Sequence, residues 1–235
     1  MRNLSKTFVF FLLATSSCEV WSGQAFSFDK PGLVSFEDHG AISGYYNVSD
    51  GERSCTFLFV SAGGEINDPS KSPYSEVKLL TFVPRENSFS FSERDKSYDI
   101  SGTLYRRDGT WIVRTDEGQA GCENSLGSFM SSRSDKVGGE IFSVRRTISA
   151  TGIRLIGRKT YLFDLKRGRY VAKKAYLTKW DGVIVLQTHE PFTLVRFADA
   201  KSNVANPGKV TTGWVRSADL VDPFPPTAKH QGEAQ

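Results

Sequence analysis

The chain is predicted to be all-β: an antiparallel β-barrel or sandwich with one disulfide, followed by a small β-barrel. Three observations carry this expectation. Apolar residues alternate with a period of two over short runs such as 42–48 and 98–105, the spacing of half-buried strands. Gly, Pro, Asn and Asp punctuate these runs at close intervals, and no long run has helical periodicity. Hydrophobic residues make up 39% and aromatics 12%, too rich for a disordered chain and ample for a buried core.

Residues 1–25 read as a signal peptide. Arg2 and Lys6 precede the apolar run Phe8-Val9-Phe10-Phe11-Leu12-Leu13-Ala14, and a small-residue site, Gly23-Gln24-Ala25, predicts cleavage after Ala25. The apolar run is well short of the ~20 residues that a membrane span needs, so no span is expected. Cys18 does not make a lipoprotein signal, because Thr15-Ser16-Ser17 stands where Leu usually opens such a motif. Cleavage leaves Cys55 and Cys122, and an even pair in an exported chain predicts one disulfide. The expected location is periplasmic or secreted.

The first β domain is expected over 26–148. Residues 26–36 read as a leader with a Pro31-Gly32 turn. Residues 42–48 and 55–60 form a hairpin across Ser49-Asp50-Gly51-Glu52. From Gly63-Gly64 through Pro69 to Pro73 a long loop is predicted, with a strand over 77–83 after it and a short alternating piece at Phe89-Ser90-Phe91. Asp108-Gly109, between the alternating runs 98–105 and 110–114, is the clearest hairpin signal of this half. Residues 127–140 are rich in Ser, Gly and charge and read as a linker or long loop. A strand over 141–148 precedes a boundary near Ala150-Thr151-Gly152. The Gly-Tyr-Tyr, Cys and Gly-Thr-Leu pattern of this half loosely resembles small periplasmic β-barrels, and no residue role is carried across.

The second domain is expected over 149–222, with β-rich runs at 169–177, 181–187, 191–198 and 211–215. The tail from 223 to 235 opens with Pro223, Pro225 and Pro226, continues in polar residues, and is expected to be disordered. Tyr161-Leu162-Phe163, Lys174 to Asp181, Val183-Ile184-Val185-Leu186 and Gly213-Trp214-Val215 leading to Asp219-Leu220 together resemble the bacterial SH3-like (SH3b) family. The resemblance covers 161–220. It departs from the family at Trp180, where Gly is usual and Gly182 follows, and at Pro191-Phe192-Thr193, where Gly-Trp is common.

The resemblance implies an SH3-like barrel that binds cell-wall peptides or serves as a protein-interaction platform. Its candidate ligand-binding residues are Trp180, Tyr170, Tyr176, Trp214, Arg169 and Lys179. Flat aromatic rings suit such a groove because they bury much area at little entropic cost. Tyr176 and Trp214 also fit a core role, which makes Trp180 the sharper expectation. Arg154, Arg158, Lys159, Lys166, Arg167, Arg169, Lys173 and Lys174 form a cationic stretch opposed by Asp164.

Thirty Lys and Arg against 26 acids give a net charge of +4, a mixed surface without the dense basic stripe of a nucleic-acid binder. His39, His189 and His230 lack metal-ligand spacing, and no nucleophile elbow or P-loop occurs. No metal, cofactor or catalytic set is expected. Pairs such as Asp95/Asp99 and Asp116/Glu117 are ordinary for an acid-rich chain. The leading reading is therefore an exported, non-enzymatic protein whose SH3-like module engages a protein or peptidoglycan-peptide ligand. Two alternatives are an inhibitor or immunity protein that blocks a wall-degrading enzyme through the first β domain or its 63–76 loop, and a wall-active enzyme carrying an SH3-like targeting domain.

Overall fold

The computed structural model describes residues 23–119, 122, 126–130, 137–200 and 208–226. Eight antiparallel strands form the first unit: β1 (Gly23–Phe28), β2 (Leu33–Asp38), β3 (Ala41–Ser49), β4 (Ser54–Ile66), β5 (Ser75–Phe82), β6 (Ile100–Arg107), β7 (Thr110–Thr115) and β8 (Glu140–Ala150). Each pairs with the next, and β8 returns to β1, closing a barrel. Closure leaves no strand edge exposed. Two of its hairpins turn on left-handed pairs, His39-Gly40 (φ 49° and 79°) and Asp108-Gly109 (φ 48° and 76°), the geometry that matches the twist of the flanking strands.

Alternation places one side chain in two inside the barrel. Phe28, Leu33, Tyr46, Phe57, Phe59, Leu104, Trp111 and Phe142 meet there. Phe129 joins them from outside the strands, 4% exposed, with its ring 4.9 Å from Tyr46 and 5.0 Å from Phe57, edge to face. The Tyr46 hydroxyl donates to the Leu126 carbonyl (2.5 Å) and ties that segment to β3. The Cys55–Cys122 disulfide forms as expected and fastens a loop of 67 residues to the start of β4.

The second unit is a curled antiparallel sheet. It contains β9 (Gly152–Ile156), β10 (Thr160–Lys166), β11 (Arg169–Leu177), β12 (Gly182–His189), β13 (Phe192–Ala198), β14 (Val210–Arg216) and β15 (Leu220–Val221). Their order across the sheet is β11-β10-β14-β13-β12-β9-β15. Ile156, Leu162, Leu177, Val183, Val195 and Val215 fill its concave side.

The two units share a third core. Ile153 and Leu155 of β9 and Ile184 of β12 pack with Ala25, Val34, Tyr45, Leu58, Phe82 and Phe89 of the first unit. Gly182 makes this approach feasible: a Cβ there would lie 2.2 Å from the Tyr45 ring. The Tyr45 hydroxyl crosses the seam and donates to the Trp180 carbonyl (2.6 Å). Burial, and secondarily the charge of Asp181, push the Tyr45 phenol far above its usual range. Burial, and secondarily Glu140, raise the Tyr46 phenol as well.

Several expectations are corrected here. The 26–36 leader is instead part of a hairpin, β1–β2, and supplies the closing strand of the barrel. A cut after Ala25 falls within β1: it would remove a fully buried residue and the pairs of Gly23, Gln24 and Ala25 with β8. The rest of the expected signal, including Cys18, lies outside the described residues. Gly63-Gly64 belong to β4, which passes through a register irregularity between Ser61 and Glu65 before continuing to Ile66. The expected loop is thereby shortened to 67–74.

Phe89-Ser90-Phe91 is not a strand but part of a turn-rich excursion between β5 and β6. The 127–140 stretch contributes Phe129 to the barrel core, and its residues 131–136 lie outside the described residues. At the tail, Pro223 is buried and Phe224 packs on the shared core, so order extends past 222, whereas 227–235 lie outside the described residues.

Two measurements follow from this architecture. Replacing Cys55 and Cys122 together by Ser should lower unfolding free energy by about 4 kcal/mol, the entropy of closing so long a loop, read from denaturant titrations. Above the ordinary phenol pKa near 10 the unfolded chain releases protons that folded Tyr45 and Tyr46 retain. Stability should be full below about pH 10 and fall above it by about 1.4 kcal/mol per pH unit per tyrosine. Tyr45→Phe should remove one tyrosine's share of that slope, and an unchanged slope would refute the assignment.

Candidate interaction face

The convex side of the second sheet faces solvent over β10, β11, β13 and β14. A two-residue turn, Arg167 (φ 51°) and Gly168 (φ 75°), links β10 tightly to β11. The resulting register sets Leu165 opposite Tyr170, and Phe163 opposite both Ala172 and Trp214. On the other side Trp214 faces Leu194, two residues from Phe192 on the same strand. Because directly opposed residues share a face and side chains alternate, Tyr161, Phe163, Leu165, Tyr170, Phe192, Leu194 and Trp214 all lie on the convex side.

The rings form two connected groups. Tyr170 stacks on Phe192 with centroids 3.9 Å apart, and its edge meets Trp214 at 5.4 Å. Phe163 abuts Phe192 at 5.0 Å, and His189 stacks on Trp214 at 5.4 Å. Trp214 is thus buried by neighbours on the convex face and does not belong to the sheet's concave core. Tyr161 and Tyr176 form the second group, 6.2 Å apart, with the Lys159 ammonium 4.1 Å from the Tyr176 centroid. Tyr176 is 51% exposed and Tyr161 49%, so Tyr176 has no core role. Leu165 is also exposed on this face, whereas Val171, opposite Asp164, lies on the other side of the sheet. Together Tyr161, Leu165 and Tyr176 leave exposed apolar surface on the convex side of the sheet.

Cations outnumber carboxylates along β10 and β11, where Lys166, Arg169, Lys173 and Lys174 stand against Asp164. Asp164 is bound to Lys173 (3.0 Å) and lies 3.7 Å from Lys166. The hydrogen bond from Lys173, with both ammonium charges assisting, holds its carboxyl below the usual range. Among the described residues, no carboxylate is within salt-bridge reach of Arg167, Arg169 or Lys174.

Tyr170, Tyr176, Trp214 and Arg169 therefore belong to one face or its rim. Trp180 and Lys179 do not join them. Both occupy the β11–β12 turn against the first unit, where Trp180 packs on Phe89 at 4.6 Å and Lys179 pairs with Glu86 at 3.1 Å. Trp180 adopts φ 74°, the left-handed conformation that glycine takes without strain. Holding a Trp there costs about 1–2 kcal/mol. The turn is fixed by its own bonds: Asp181 accepts from the Thr178 amide (2.7 Å), and the Trp180 amide donates to Ile156 (3.0 Å). Gly182 is extended and serves the Tyr45 contact, so Trp180 itself takes the left-handed position of this turn.

Sequence reasoning missed Phe163, Phe192 and His189. The signal for the first was available in the alternation Tyr161, Phe163, Leu165 ahead of the Arg167-Gly168 turn. Among the described residues no group of three His, Cys, Asp or Glu side chains is placed to hold a metal ion, and no helix is long and apolar enough to cross a membrane. A cleft between the units is lined by Asn47, Asp181 and Phe197 among others, but Asp181 is already committed to its turn. Comparisons with protein-family models, curated proteins and solved structures returned no match.

The placement of Trp180 makes a stability prediction. Trp180→Ala should destabilise the protein by about 3 kcal/mol, the loss of a packed aromatic side chain, whereas Tyr176→Ala should stay within about 0.5 kcal/mol of wild type. Thermal or denaturant unfolding of the two variants checks it, and similar values for both would refute the different roles.

Proposed function

We propose that the protein is an exported, non-enzymatic binding protein whose second, SH3-like unit engages a protein or cell-wall peptide ligand through its convex aromatic face. The observation that carries this reading is the convex set of rings, of which Tyr161 and Tyr176 are about half exposed, beside Arg167, Arg169 and Lys174, none with a carboxylate partner among the described residues. Rings that are already packed against one another lose little freedom on binding, and unpaired cations beside them steer an acidic ligand and fix its orientation. The Cys55–Cys122 disulfide supports an oxidising compartment. The first barrel then acts as a rigid base for the sheet.

Two assays test the reading: co-sedimentation with purified cell-wall sacculi, and affinity purification of the tagged protein from an envelope extract with mass spectrometry. Wild type should be retained or should capture a defined partner. The double change Tyr170→Ala/Tyr176→Ala should weaken that interaction by at least about tenfold, as loss of central aromatic contacts does. Raising the salt concentration should weaken it further. Identical recovery by wild type and the double variant would overturn the proposal.

A further inference from the structure

The curled sheet differs from the barrel in having edges. One end is β15, two residues long; the other is β11, nine residues long. Strand β11 pairs with β10 and has no second partner strand among the described residues. In a hairpin closed by a two-residue turn, Lys166 and Arg169 form the first hydrogen-bonded pair, and the pattern alternates from there. Asp164 and Val171 are then bonded, while Tyr170 and Ala172 turn their backbone N–H and C=O groups outward. No turn or loop bond among the described residues uses these groups.

An open row of this kind can accept another strand. Self-pairing is opposed here, because the edge carries Arg169, Lys173 and Lys174, and like charges on facing edges repel. An acidic strand meets no such opposition. It would also lie beside Tyr170, whose ring belongs to the convex face. Resting on the binding role proposed above, we infer that the open edge of β11 takes an extended, acidic segment of a partner protein as an added antiparallel or parallel strand, recognised by backbone pairing at Tyr170 and Ala172 and by the cations alongside.

The probe is an eight-residue peptide of alternating Glu and Val, blocked at both ends, with its Lys/Val counterpart as control. Binding is followed by fluorescence anisotropy, and amide hydrogen exchange is read residue by residue with and without peptide. The Glu/Val peptide should bind at least about tenfold more tightly than the Lys/Val peptide, and the Tyr170 and Ala172 amides should gain at least about tenfold protection. Ala172→Pro removes an outward N–H without touching the β10 ladder and should weaken binding by about tenfold or more. Exchange on the unaltered chain keeps the test decisive if that variant folds poorly.

Failure of the Glu/Val peptide to bind, or equal binding of both peptides, overturns the acidic partner. Binding without amide protection overturns strand addition, yet leaves the aromatic-face reading to its own Tyr170→Ala/Tyr176→Ala test. Strong protection of these amides in the free monomer would show that the chain's own segments cover the edge. Protection that grows with protein concentration would show a second copy there. Either result overturns the inference.

Discussion

The contact on which the molecule depends is the ring of Tyr45 lying against the backbone of Gly182, with its hydroxyl bonded to the Trp180 carbonyl. It joins a closed barrel to a curled sheet at a point where no side chain larger than hydrogen fits. Around it Leu58, Phe82, Ile153, Leu155 and Ile184 complete a core to which both units contribute. Neither unit buries these residues alone, so separating the two would expose a large apolar surface. Inter-unit packing of this kind couples the stabilities of the two parts and holds the sheet in one orientation.

The excursion between β5 and β6 serves the same seam. Phe89 reaches Trp180 from there, and Arg94 stiffens its base. The Arg94 guanidinium stacks 3.7 Å from the Phe91 ring centroid and makes two 2.8 Å bonds to Asp99. A buried pair is tolerated only when its bonds are complete, as they are here. The left-handed Trp180 is held by this surround: its amide, carbonyl and ring are all engaged.

The residues differ in how far they disclose these arrangements. Strands with clean alternation, the Asp108-Gly109 hairpin and the Cys55–Cys122 pair were readable, because period, turn chemistry and cysteine number are local properties. The β1–β2 hairpin was obscured because the apolar run 8–14 and the small residues at 23–25 draw the start of β1 into a signal-peptide reading. Phe129 was hidden for another reason: a single ring within a Ser- and Gly-rich stretch leaves no periodic signal. At Trp180, the residue type argues for a ligand or a core, and only tertiary packing reveals the backbone conformation it must adopt. Four of the six candidate binding residues still gathered on one face or its rim, since β11 and β14 are joined through β10 and alternation carries across the sheet. The two that went elsewhere sit in a turn, where alternation gives no guidance.

The Phe129 plug has a consequence for the barrel as a container. Eight-stranded barrels elsewhere use their interior as a cup for a small hydrophobic guest. In this one, Tyr46, Phe57, Phe129 and Phe142 interlock across the lumen, and the segment that carries Phe129 is moored at Leu126 by Tyr46. The cup is filled by the protein's own chain. A guest would have to evict a ring that packs against three others, so the barrel is a solid post rather than a container.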